Sequence, residues 1–440
     1  LLVAHGAAMI WLGIIILLIV AALGAPLFSV LLGASLLGFY GLYDGELDVV
    51  LSIIPIELYR IVDTPLLVAL PLFTFSGYLL SEANTSTRLV NLMQSLFGWL
   101  PSGLAIVAFI ACAVFTALTG ASGVTIVALG ALLLPALKQA GFADKFSLGL
   151  VTTSGSLGLL LVPSVPLILY GVIAQQLNVG EPFTVVELFV AGVAPLCLML
   201  SLLIGWTLWH HRGGKIPRIS FTLEKLSSAL WDARWELPLP FVVLGGVFGG
   251  YFAISEAAAV TAAYVVLAEV VLYREVAWRQ LSRVAVESMV MVGGILLILG
   301  IALGFTNFLV DAEAPQQLLA FMNRYIEDPL SFLILLNVLL LILGAMLDIF
   351  SALVIMVPLL LPVAVGYGVH PVHLGIIFLA NMQIGYFTPP VGMNLFIASY
   401  RFKKPLTELY SATLPFLLVL LLALMLITYF PLLSLWHLDT

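Results

Sequence analysis

The chain has 440 residues, of which 62% are hydrophobic and 9% charged, with a formal net charge of −7. A mean hydropathy of +1.20 lies far above that of soluble domains and marks a polytopic membrane protein. Nucleic acid is excluded as a partner: no polybasic patch occurs, and acidic residues sit in short loops (Asp44, Glu46, Asp48; Asp311, Glu313; Glu327, Asp328).

Runs of about twenty apolar residues, such as Leu188 to Trp209 and Thr413 to Leu433, indicate spanning helices and not the shorter alternating segments of a β-barrel. Apolar segments fall near 8–40, 65–81, 103–137, 146–175, 188–209, 237–254, 256–273, 287–310, 329–365, 372–400 and 413–437. The first reads as one retained crossing that starts inside. Between segments, Leu47 to Tyr59, Arg88 to Leu100 and Pro315 to Ile326 carry apolar residues at helical spacing and read as interfacial braces. Cys112 and Cys197 lack metal-ligand spacing and read as buried thiols, Glu256 as a first-turn charge, and His370 and His373 as interfacial residues.

Lys and Arg favour cytoplasmic loops, which places HHRGGKIPR (210–218), REVAWRQLSR (274–283) and RFKK (401–404) inside. From these anchors 237–254 leaves the cytoplasm, 256–273 returns and 287–310 leaves again. To reach RFKK inside after 372–400, segment 329–365 must start and finish outside, as a re-entrant hairpin. The same parity carried backwards makes 103–137 a hairpin that opens inside.

The two hairpins align without gaps. ALLLP ends at Pro135 and PLLLP at Pro362, an offset of 362 − 135 = 227. That offset pairs Gly141 with Gly368, Ser154 with Asn381, Ser156 with Gln383, Gly158 with Gly385 and Pro163 with Pro390, and sets GASGV (120–124) against LDIFS (347–351). Hairpins opening to opposite sides predict two inverted repeats, the architecture of secondary transporters. The expected fold is an all-α polytopic membrane protein of two inverted structural repeats, each with a re-entrant helical hairpin and an unwound transmembrane helix.

Broken elements in such a fold meet near the midplane, where freed carbonyls and helix ends bind ions and substrate. Thr119, Gly120, Ser122, Gly123 and Thr125 suit a hairpin tip that coordinates a hard cation such as Na⁺; the competing reading is close helix packing by small residues. Asp348, the only acidic residue between Asp328 and Glu408, falls at the second tip. An intramembrane carboxylate costs about 2.5–3.5 kcal/mol, so a functional role is its default: it binds sodium, carries a proton, or caps the helix containing Ser351. Ser154, Gly155 and Ser156, with Asn381 and Gln383, read equally as ion ligands or polar glue, while Thr388, Pro389, Pro390, Gly392 and Asn394 must interrupt their helix. GASG also fits the G-x-S-G pattern of rhomboid-like intramembrane serine proteases, but a protease has no use for an inverted second copy. A channel would need a continuous polar pathway where the sequence offers two focal clusters.

FTALTGASGVTIVALGALLLPALKQAG, TTSGSLGLLLVPSVPLILYGV, GGYFAISEAAAVTAAY and NMQIGYFTPPVGMNLFIAS resemble the large membrane (permease) subunit of tripartite ATP-independent periplasmic (TRAP) transporters, the DctM-like family of the ion transporter superfamily. The resemblance implies an elevator-type, sodium-coupled importer of an organic acid in the bacterial inner membrane. Its partners would be a small four-helix membrane subunit on a separate chain and a periplasmic substrate-binding protein. It further implies two or more Na⁺ sites among Thr119, Gly120, Ser122, Ser154, Gly155, Ser156, Asp348, Asn381, Gln383, Thr388, Pro389 and Gly392. The substrate carboxylate is then expected among Ser122, Thr125, Ser164, Ser351, Thr388 and Asn394. No arginine falls in the hairpin region, so amides, hydroxyls and bound Na⁺ would neutralise it. The expected organisation is an N-terminal scaffold with arm helices (1–102), a first transport half (103–175), a second scaffold half with its arm (176–328), a second transport half (329–400) and a C-terminal helix (401–440). An enzyme is not expected.

Overall fold

A computed structural model describes residues 2–43, 50–52, 55–56, 59, 64–212, 221–326 and 328–438. Most of the brace expected over 47–59, and the basic residues 213–218, lie outside them. Among the described residues every regular element is helical, and eight helices are long and apolar enough to cross a membrane.

The chain opens with α1 (Leu2–Ala22) and α2 (Leu27–Leu42). Gly13 meets Leu37 and Gly33 meets Leu17, so the two run antiparallel. This corrects the single crossing expected at 8–40. Gly24 takes a φ of +86° and Pro26 sits at the N-cap of α2, so the chain turns back on itself. The amino end therefore shares a face with Tyr43, whose hydroxyl donates to Asp311 at 3.3 Å, and does not start inside.

A 3₁₀ turn (Pro65–Val68) leads into α3 (Ala69–Glu82), followed by α4 (Thr85–Phe97), the brace expected at 88–100. Arg88 fixes α4 in place. Its guanidinium lies 2.5 Å from Glu236, 2.5 Å from Glu275 and 3.2 Å from the fully buried Glu269, and stacks 4.0 Å over the Tyr273 ring.

The first hairpin is α5 (Gly103–Thr119) and α6 (Ser122–Gln139), turning at Gly120 with φ +69°. Then come α7 (Asp144–Ser154) and α8 (Val165–Leu177), joined through a break and bent by 42°. Next are α9 (Val185–His210), α10 (Leu223–Asp232), α11 (Pro238–Phe248) and α12 (Ile254–Val266), which continues to Leu272 as a π-helix. The 11 residues of α11 span about 16 Å, short of the ~30 Å apolar core, so the crossing expected at 237–254 is not made by helix alone. Helix α13 (Trp278–Asp311) fuses the basic stretch with the crossing at 287–310, and α14 (Ala314–Met322) is the brace expected at 315–326. The second hairpin is α15 (Pro329–Met346) and α16 (Ile349–Gly366); the second broken segment is α17 (Pro371–Gly385) and α18 (Met393–Phe402). The chain ends with α19 (Leu406–Tyr429) and α20 (Leu432–Leu435).

Helix boundaries recur at the 227-residue offset. Shifted by 227, the span 122–139 of α6 becomes 349–366, the span of α16, and the start of α7 at 144 becomes 371, the start of α17. Gly141 and Gly368 both adopt positive φ, +89° and +79°, and each break carries a cis X-Pro bond, Val162–Pro163 and Pro389–Pro390. Both breaks press on their own hairpin through a glycine. A Cβ on Gly158 would stand 2.0 Å from the Ala113 carbonyl, and one on Gly385 would stand 2.6 Å from Gly344.

Helix α9, about 39 Å long, gives the hairpins their directions. At its start Gly180 abuts Val365 and Pro371, and Glu181 lies 3.2 Å from His370, beside the open end of the second hairpin. At its other end the His211 ring is 5.0 Å from Phe142 and 4.4 Å from Phe146, beside the open end of the first. The hairpins open toward opposite faces. On the face where the first hairpin opens, Lys138 pairs with Asp144, Lys404 lies near the same carboxylate, and Arg401 and Lys403 adjoin Lys404 in the chain, the basic edge that the positive-inside rule associates with a cytoplasmic side. Between the halves, α6 packs on α18 and α8 on α16.

Candidate functional site

The tip of the first hairpin is set by Gly120, whose left-handed backbone is open to glycine and costly for other residues. The turn delivers Ser122 as the first residue of α6, facing the other half. Ser122 Oγ donates to Asn394 Oδ1 at 2.9 Å, and Asn394 N donates to the Tyr386 carbonyl at 2.8 Å. Both side chains are buried, and Asn394 Nδ2 has no hydrogen-bond partner. One turn into α6, the Thr125 hydroxyl lies 2.7 Å from that of Thr116, which is 2.8 Å from the Gly155 carbonyl at the end of α7. Ser156 Oγ donates to the Gln383 carbonyl at 2.9 Å, a second bond between the halves. The first tip, the first break and the second break thus form one buried polar junction.

The second tip is organised by Asp348. Its Oδ1 accepts the backbone N–H groups of Phe350 and Ser351 at 3.0 Å each, and its Oδ2 accepts the Ser351 hydroxyl at 2.5 Å. Capping is the role the geometry displays. Ile349 N donates to Tyr386 Oη at 2.8 Å and Gly392 N to the Ala345 carbonyl at 2.9 Å, fastening this tip to the second break.

Other expected site residues face elsewhere. Asn381 lies within regular helix and donates to Asn337 Oδ1 at 2.7 Å; Gln383 Nε2 lies 2.6 Å from the Met199 sulfur on α9. The hydroxyls of Thr119, Ser164 and Thr388 donate to nearby carbonyls of Phe115, Leu159 and Ile384 at 2.9, 2.6 and 2.8 Å. Ser154 is fully buried at the end of α7, and Pro389 lies half-buried in the second break. Sequence reasoning passed over Thr116, Asn337 and Tyr386; Thr116, within FTALTG, and Tyr386, within NMQIGYFTPP, stood close to recognised signals, and Asn337 did not.

Two peripheral expectations change. His373 is buried, with Nδ1 2.6 Å from Ser434 Oγ and Nε2 3.2 Å from the Thr428 carbonyl, and is not interfacial. Cys197 faces outward from α9, while Cys112 is buried as expected. Glu256 accepts from Ala253 N at 2.9 Å and caps α12 as expected. Among the described residues no group of three His, Cys, Asp or Glu side chains is arranged to hold a metal ion, so oxygen donors of hydroxyls and carbonyls are what the junction offers a cation.

The family model described as Tripartite ATP-independent periplasmic transporter, DctM component, matches residues 14–433. The chain belongs to that family. This large permease is 36% identical to the C4-dicarboxylate TRAP transporter large permease protein of Rhodobacter capsulatus, over 97% of this chain and 98% of the relative. It is 33% identical to the isethionate TRAP transporter permease protein of Oleidesulfovibrio alaskensis, over 84% of this chain and 58% of the relative. Its fold is similar to the Alcanivorax borkumensis YdaH transporter, with a TM-score of 0.63, 17% identity and 89% coverage of each chain. Relatives of a permease are not proteases, and the rhomboid-like reading of GASG is overturned on structural grounds too. The Ser122 hydroxyl is spent on Asn394, and His373 is held by Ser434 and Thr428 at the opposite hairpin's open end.

Proposed function

We propose that this permease imports a small organic acid across the bacterial inner membrane by sodium-coupled secondary transport. A small four-helix membrane subunit would accompany it and a periplasmic binding protein would deliver the substrate. The observation that carries this reading is the Ser122–Asn394 bond, which joins hairpin tip to opposing break between halves whose hairpins open to opposite faces. The same facts support reading the halves as inverted repeats, in which alternating access rocks or slides one unit past a fixed one. Helices 103–175 and 329–400 form the moving unit, and α3, α9, α12, α13 and α19 the scaffold braced by α4 and α14. Na⁺ would order the tips and a carboxylate would then meet hydroxyls and amides between them. The relatives named for C4-dicarboxylate and isethionate support an anionic organic acid as the substrate class.

The test is uptake into proteoliposomes holding the permease with its small subunit, supplied with loaded binding protein. Accumulation that requires an inward sodium gradient supports the reading; accumulation indifferent to sodium contradicts it.

A further inference from the structure

The junction contains no arginine, so a carboxylate leaving it needs a cation to receive it. Arg401 and Lys403 stand where such a group is wanted. Asn394 and Arg401 are seven residues apart on α18, two turns and about 10 Å, and so lie on one stripe of the helix. That stripe follows α6: Asn394 bonds Ser122, Ile397 abuts Gly123, and Arg401 Nε donates to the Val127 carbonyl at 3.2 Å. The seam ends at a concavity of about 460 Å³ lined by Ser399, Tyr400, Arg401 and Lys403, with Tyr400 91% exposed.

The cations around this mouth are not equivalent. Lys138 is paired with Asp144 at 3.1 Å and Lys404 with Glu408 at 2.8 Å, whereas Arg401 and Lys403 have no acidic partner among the described residues. Positive-inside topology explains basic residues on this face, but not an Arg401 on the stripe that begins at Asn394 lining one concavity with Lys403 from the end of the same helix. Lys403 adopts φ +53° as the C-cap of α18, which turns the chain at the mouth. A guanidinium fork and an ammonium on one wall suit a carboxylate or sulfonate oxygen pair.

We propose that Arg401 and Lys403 form a second, cytoplasmic anion site that receives the carboxylate of the departing substrate. The site deepens the import reading and rests on it for its direction of flow. A cationic mouth at the end of this seam would draw the anion out and concentrate it at the exit.

The test places a cysteine at Tyr400 (Tyr400→Cys) with Cys197→Ser, in the complex with the small subunit. Rates of modification by an anionic and a cationic methanethiosulfonate are compared, with millimolar succinate as the competing anion. The anionic reagent should be favoured, succinate should slow it, and Arg401→Gln with Lys403→Gln should lower the anionic-to-cationic ratio about fivefold and abolish protection. Arg401→Lys keeps the charge and should keep the ratio. A ratio unchanged by the double substitution overturns the proposal, as does an Arg401→Lys variant that loses selectivity as fully as Arg401→Gln, because Arg401 would then act only as a tie to Val127. The readout needs no transport. Intact charge selectivity without sodium-driven uptake would contradict the import reading alone, and normal uptake without selectivity would contradict this site alone.

Discussion

Ser122 and Asn394, 272 residues apart in the chain, meet through a 2.9 Å hydrogen bond that joins the first hairpin to the second broken helix. The bond is buried and leaves Asn394 Nδ2 without a partner, a donor free to donate to a carboxylate oxygen. We expect Ser122→Ala and Asn394→Leu each to reduce sodium-driven uptake at least about tenfold while costing only ~1 kcal/mol of stability. Uptake in proteoliposomes and thermal unfolding in detergent check the two halves of that statement. Wild-type uptake in both variants would remove the junction from the mechanism.

Asp348 separates capping from charge. Its carboxylate caps α16 through two backbone N–H groups and the Ser351 hydroxyl. Asp348→Ser retains an N-cap acceptor and Asp348→Ala does not, so unfolding should show Ala losing about 1 kcal/mol and Ser much less. If the charge also serves a cation, both variants lose sodium-driven uptake; rescue by Ser would limit Asp348 to capping.

Gly158 and Gly385 hold the two breaks against their hairpins, with backbone atoms of Ala113 and Gly344 filling the place of a Cβ. Backbone cannot yield as a side-chain end can. Gly158→Ala and Gly385→Ala should therefore each destabilise by about 1–3 kcal/mol, read as a lower unfolding temperature, whereas Gly205→Ala on α9, where nothing lies within 4 Å, should not.

Arg88 bridges three carboxylates, those of Glu236, Glu269 and Glu275. Removing it as Arg88→Gln leaves Glu269 buried and uncompensated, and should cost about 3–5 kcal/mol and loosen α4. The cluster also sets an acid limit. Burial pushes the Glu275 carboxyl upward, but the Asn84 amide and the Arg88 guanidinium outweigh it and hold its pKa below the ordinary 4.5. A depressed carboxylate contributes stability above its unfolded pKa and loses it as pH falls through the folded value, so this contribution should fade below about pH 4.5. Unfolding followed against pH should show a smaller acid loss in Glu275→Gln than in wild type.

Hairpins, breaks and their register were legible because glycine, proline and hydroxyls interrupt long apolar runs, and a 227-residue offset survives in Pro135 and Pro362. The α1–α2 turn was hidden because Gly24, Ala25 and Pro26 are all apolar or small, so hydropathy runs through them without a dip. Helix α11 was overlong in the sequence reading because Gly249 to Ala253 keep the apolar character after the helix has ended. At the site, residue types were readable and directions were not: Asn381 and Gln383 look like site amides, yet their helix turns them toward Asn337 and Met199. The pairing of Ser122 with Asn394 depends on how distant helices pack, which no local period encodes. Glu269 had a signal, a lone carboxylate within an apolar run, whose partner Arg88 was distant in sequence.

If transport is sodium-coupled as proposed, the interlocked tips and breaks bind Na⁺, and equilibrium binding of ²²Na⁺ to the purified permease with its small subunit reads this without transport. The account predicts saturable binding in the wild type that Ser122→Ala and Asp348→Ala weaken or abolish while both variants remain folded. Absence of saturable binding in the wild type, or binding undiminished in both variants, would contradict it.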